Sequence, residues 1–122
     1  MIRERSAIAD LRIRVQRLED QIEMLMELVD HEKYPFMYLA LESGLNKSQV
    51  NQIFDLMEEV SKAIFTGKKP MSHSEFEDRV YQIVPTLKED YHFAESIVRS
   101  LNRKGQYTEV YHHMKKSGMN LK

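Results

Sequence analysis

The sequence predicts an all-α protein, a long N-terminal coiled-coil-like helix followed by a compact bundle of about four helices, and three observations carry the prediction. Ile8, Leu11, Val15, Leu18, Ile22, Leu25 and Val29 recur at alternating steps of three and four, the heptad period of a helix that supercoils on a neighbour. Farther along, apolar residues repeat at helical intervals between capping residues, glycines and prolines, the punctuation of short amphipathic helices. Glycine and proline number only four and three in 122 residues, too few for the many tight turns of a sheet protein.

The first helix is expected from Ser6, a capping residue, to about His31, ahead of Tyr34-Pro35, since the residue before a proline is pushed toward extended geometry. Its a positions are all β-branched and its d positions all Leu, the choice that favours two strands. Residues 1–33 therefore read as an oligomerisation arm, with Ile8, Leu11, Val15, Leu18, Ile22, Leu25 and Val29 as the oligomer interface. Arg12 and Arg14 flank the early seam, but Met26 and Leu28 hold the corresponding e and g positions later, widening the apolar stripe beyond what a two-stranded coil needs. Arginines load the first half and carboxylates from Glu19 to Glu32 the second. An antiparallel partner would set basic against acidic, whereas a parallel one would bring Arg14 at g to Glu19 at the following e.

Residues 34–122 read as the bundle, with a linker near 66–74. Pro35 suits the first position of a short helix with Phe36, Leu39 and Ala40 turned inward and Gly44 as its left-handed terminator. Asn46 and Gln49 have capping-box spacing and open a helix whose stripe is Val50, Ile53, Phe54, Met57, Val60, Ile64 and Phe65. Ser72 and Glu75 repeat that spacing before Phe76, Val80, Ile83, Val84 and Leu87, which Pro85 interrupts. Phe93, Ile97 and Leu101 mark the next helix, ending at Gly105; Tyr107, Val110, Tyr111 and Met114 mark the last, ending near Gly118.

The order of these parts resembles the YhaI-like family, small helical Bacillus proteins of unknown function. The residues that carry the resemblance are Arg17-Leu18-Glu19 in the heptad helix, Lys33-Tyr34-Pro35-Phe36, the short helix closing on Gly44-Leu45, and Gly105-Gln106-Tyr107-Thr108-Glu109. It implies an all-helical oligomer and supplies no catalytic residue to carry over.

Composition narrows the function classes. Cysteine is absent, which removes disulfides, thiolate metal sites and thiol nucleophiles. A net charge of -1 with 30% charged residues gives no bulk attraction to nucleic acid or anionic lipid. No apolar run approaches the roughly 18 residues of a membrane span, and no secretory leader is visible, so a cytoplasmic setting without membrane contact is expected.

Leu39, Ala40, Gly44, Leu45, Val50 and Ile53 have the layout of a helix-turn-helix. In that alternative reading Lys47, Gln49, Asn51 and Gln52 would contact DNA from the second helix, although Asp55, Glu58 and Glu59 follow on the same helix and repel phosphate. His112 and His113 are adjacent, about 100° apart on a helix and not one face of a metal pair, so exposed side chains are expected there. Glu89 and Asp90 are expected in a helix's first turn. No carboxylate spacing demands catalysis. The expectation is a protein-protein interaction or scaffold protein without catalytic, cofactor or metal residues, whose partners are itself, as a homodimer or trimer, and an unknown protein.

Overall fold

Six α-helices and one 3-10 turn make up the regular structure of the computed structural model, which describes residues 2–121, and no strand occurs among the described residues. In chain order they are α1 (Ile2–Leu28), α2 (Pro35–Glu42), α3 (Lys47–Phe65), α4 (His73–Ile83), the 3-10 turn Pro85–Leu87, α5 (Phe93–Arg103) and α6 (Thr108–Ser117). They form two compact units, Met1–Asp30 and His31–Lys122.

The first unit is α1 with its C-terminal turn. The helix runs through Ser6 instead of starting there, because Arg3, Glu4 and Arg5 are strong helix formers and extend it backward. It also ends earlier than His31: Val29 N–H bonds to the Met26 carbonyl at 3.3 Å, a tightening of the last turn typical of helix ends.

The second unit is a bundle of five helices, in keeping with the expected compact bundle of about four, and each short apolar segment between turn signals closes as a helix of its own. Pro35 takes the first turn of α2, where its missing N–H is not needed. The exit of α2 is a Schellman motif: Leu45 N–H bonds to Ala40 O at 3.0 Å and Gly44 N–H to Leu41 O at 3.2 Å, with Gly44 at φ +73°. At the start of α3, Gln49 N–H donates to Asn46 Oδ1 at 2.8 Å and Asn46 N–H to Gln49 Oε1 at 2.9 Å, the reciprocal pair of a capping box. Before α4 only half of that device forms, Glu75 N–H to Ser72 Oγ at 3.2 Å, and His73 is already helical, so the linker closes before residue 74.

The core joins Ile53, Met57 and Val60 of α3, Phe76 and Val80 of α4, Phe93, Ile97 and Leu101 of α5, and Val110 and Met114 of α6, all buried. Within this unit α2 lies chiefly against α5, α3 against α4 and α6, and α5 against α4 and α6. The α3 stripe is shifted from its expected form. Leu56 is buried, whereas Phe65, the last helical residue, is 74% exposed. The helix is capped at Thr66, directly after that side chain. Glu89 and Asp90 precede α5 instead of forming its first turn, and Asp90 Oδ1 accepts from His92 N–H at 3.1 Å.

Candidate functional site

The heptad seam is the candidate. Six of its seven residues lie on α1, which at 1.5 Å per residue is a rod of about 40 Å. Val29 falls just beyond the helix end and is half-buried. The six helical residues are 48–60% exposed, close to the 59% of Ile13, which the heptad places on the far side of the helix. The stripe is thus apolar by sequence and solvated by position. Such a stripe is stable only when another surface covers it.

The last two turns of α1 carry the widest apolar surface. Met24, Leu25 and Leu28 are exposed and, with Gln21 and Glu27, line a shallow apolar groove of about 630 Å³. Away from the seam the helix is held by side chains of its own, with Gln16 Nε2 donating to Asp20 Oδ1 at 2.9 Å across one turn. The chemistry this surface offers is dehydration of aliphatic side chains.

The helix-turn-helix-like segment is built differently from its sequence layout. Helix α2 seats on α5 and touches α3 through the edge-to-face pair Phe36–Phe54, 5.1 Å between ring centres. Lys47, Asn51 and Gln52 are exposed on α3. Gln49 is not free: its Oε1 closes the capping box and its Nε2 donates to the Ile83 carbonyl at 3.3 Å. Gln52 shares a groove of about 490 Å³ with Asp55, Glu59, Arg79 and Gln82, and Arg79 Nη2 pairs with Glu59 Oε2 at 2.9 Å. The surface beside Gln52 is therefore carboxylate-rich.

Several polar contacts escaped the sequence reading because their partners lie more than forty positions apart. His113 is half-buried instead of exposed, with Nε2 2.8 Å from the Met71 carbonyl, while His112 is exposed. His73 N–H donates to Ser117 Oγ at 2.9 Å, tying the start of α4 to the end of α6. Gly118, at φ +115°, ends α6 where a Cβ would stand 3.0 Å from His73 Cε1. The Gly105-to-Glu109 run proves to be a staple of α6 on α3. Tyr107 Oη donates to Glu58 Oε1 at 2.5 Å and Ser61 Oγ to Glu109 Oε1 at 2.6 Å. Tyr107 holds a left-handed backbone at φ +55° to do so.

Among the described residues, the surroundings hold three groups away from their ordinary values. Desolvation and then the hydrogen bond to the Glu58 carboxylate push the Tyr107 phenol up to about 12. Burial raises Tyr81, whose hydroxyl donates to the Asp90 carbonyl at 2.6 Å. Burial also raises Glu77, partly offset by His73. Glu77 and Tyr81 lie one turn apart on α4, where the Glu77 charge adds to the rise at Tyr81, while Tyr107 stands apart from them at the start of α6. Among the described residues no three His, Cys, Asp or Glu side chains gather as a metal set, and no helix is long and apolar enough to cross a membrane.

A family model described as a protein of unknown function, DUF1878, matches residues 9–118. That span takes in the seam from Leu11 onward and nearly all of the bundle, and the chain belongs to this family. No solved structure matches the chain.

Proposed function

We propose that this member of the DUF1878 family is a non-catalytic cytoplasmic scaffold or adaptor that works as a homodimer, joined by α1 pairing with α1 of a second copy. The observation that carries this reading is the exposure of Ile8, Leu11, Val15, Leu18, Ile22 and Leu25, 48–60% each, along one heptad stripe of a 27-residue helix. Helices in proteins draw most of their stability from a covered apolar face and not from propensity. A second copy is the occupant the residues favour: β-branched a positions with Leu at d pack as two strands, and a parallel pair sets Arg14 against Glu19 of the other chain. The order of the sequence parts supports placing the chain with the YhaI-like proteins in this family.

A DNA-reading role through Lys47, Gln49, Asn51 and Gln52 has less support, because the Gln49 amide is spent on the cap of α3 and on Ile83 and carboxylates flank Gln52. Light scattering at micromolar concentration tests the reading. Twice the protomer mass supports it, and a protomer mass over the whole range contradicts it. A salt titration against duplex DNA checks the other role, since phosphate contacts give a steep fall of affinity with salt; no binding at low salt is expected.

A further inference from the structure

A pocket of about 210 Å³ lies between α2 and α5. Arg99 and Arg103 line it one helical turn apart, Tyr38 and Glu42 line it from α2, and His31 closes one end. Arg99 Nε is buried without a hydrogen-bond partner. Arg99 Nη2 pairs with Glu95 Oε2 at 3.6 Å, and Arg103 forms no ion pair among the described residues. Like charges one turn apart destabilise a helix, and a buried donor without an acceptor is costly. An anion in the pocket would supply the acceptor that Arg99 Nε lacks. We propose that this pocket binds phosphate, either free or as a phosphomonoester.

The donors favour that ion. Ser96 and Ser100 hydroxyls donate to the carbonyls of His92 and Ile97 at 2.9 and 3.0 Å, which leaves the guanidinium N–H groups and the Tyr38 phenol. A planar carboxylate fills one guanidinium fork, whereas the oxygens of a tetrahedral phosphoryl group serve two. Glu42 lines the pocket and Glu95 pairs with Arg99, which leaves Arg103 as the guanidinium without an ion pair among the described residues. The space exceeds a bare ion, and the His31 and Tyr38 rings, 5.0 Å apart and tilted by 33°, offer a wall for a short ester group.

The test is a titration of the full chain, followed by amide NMR at constant ionic strength, with inorganic phosphate, phenyl phosphate and acetate. Saturable shifts in α2 and α5 are expected with phosphate, and markedly weaker ones with acetate. Arg103→Gln and Arg99→Gln each weaken phosphate binding about tenfold or more, with the helical circular dichroism retained. Glu42→Gln tightens it severalfold by removing a like charge, a gain that a purely structural role of Glu42 would not produce. Phenyl phosphate binding more tightly than phosphate identifies the ester as the ligand; equal affinity identifies the free ion. Acetate binding as well as phosphate, unchanged affinity in Arg103→Gln, or no saturable shift overturns the assignment.

Discussion

Replacing Leu18 by Asp is the sharpest perturbation of the proposed dimer. Leu18 stands in the middle of the seam and is 57% exposed in the single chain. Pairing therefore recovers about half the transfer free energy of the side chain, about 1 kcal/mol per helix and about 2 for the pair. In a symmetric dimer the substitution removes that gain twice and sets two carboxylates face to face. At a separation of about 6 Å and an effective dielectric constant near 20, their repulsion is about 3 kcal/mol. The loss of about 5 kcal/mol corresponds to more than a thousandfold in the dimer dissociation constant. Sedimentation equilibrium from micromolar to millimolar concentration reads this directly. The wild-type chain should be dimeric and Leu18→Asp monomeric, with lower helicity because a lone α1 frays. Acidification should restore the dimer as the introduced carboxylates protonate. Gln16→Ala, on the outer face beside Asp20, should leave the mass unchanged. A Leu18→Asp protein that associates as tightly as the wild type would refute the reasoning.

Three further outcomes are expected in the bundle. Asn46→Ala removes the side-chain acceptor for Gln49 N–H and should cost about 1 kcal/mol in chemical denaturation. Tyr107 is raised from an ordinary value of 10.0 to about 12, so the neutral phenol is favoured in the folded state; its contribution is full below pH 10 and lost as pH rises through 12. Tyr107→Phe should flatten that alkaline fall in a series of melting curves. Glu77 is raised above 4.5 by burial, so its contribution is present below that pH and lost as pH rises above it. Glu77→Gln should raise the melting temperature at neutral pH and leave it nearly unchanged at acid pH.

Local signals in the sequence carried the helices, because each depends on residues within a few positions of one another. The Asn46–Gln49 box, Pro35 at the start of α2 and Gly44 at its exit are visible as spacings, and all three occur. Helix ends were less visible, since Arg3 to Arg5 extend α1 through propensity alone. Contacts between elements left no local trace. The packing of α2 on α5, the His113–Met71 contact and the stapling of α6 to α3 by Tyr107 and Glu109 join residues far apart in the chain. Gln49 shows how a candidate site residue changes meaning: the spacing that made it a cap also withdraws it from a reading surface. For α1 the reverse holds, because the heptad is wholly local and its exposure in a single chain raises the question of what covers it.

The absence of cysteine makes disulfide trapping the most direct measurement of that cover. Leu18 lies at the midpoint of the seam, so a Leu18→Cys residue meets its counterpart whichever way the two helices run, and oxidation of the dilute protein should give a covalent dimer on non-reducing gels. Leu11→Cys should cross-link as well if the helices are parallel, and Gln16→Cys on the outer face should not. Leu18→Cys remaining a monomer, or linking no better than Gln16→Cys, would contradict the pairing of α1 with a second copy.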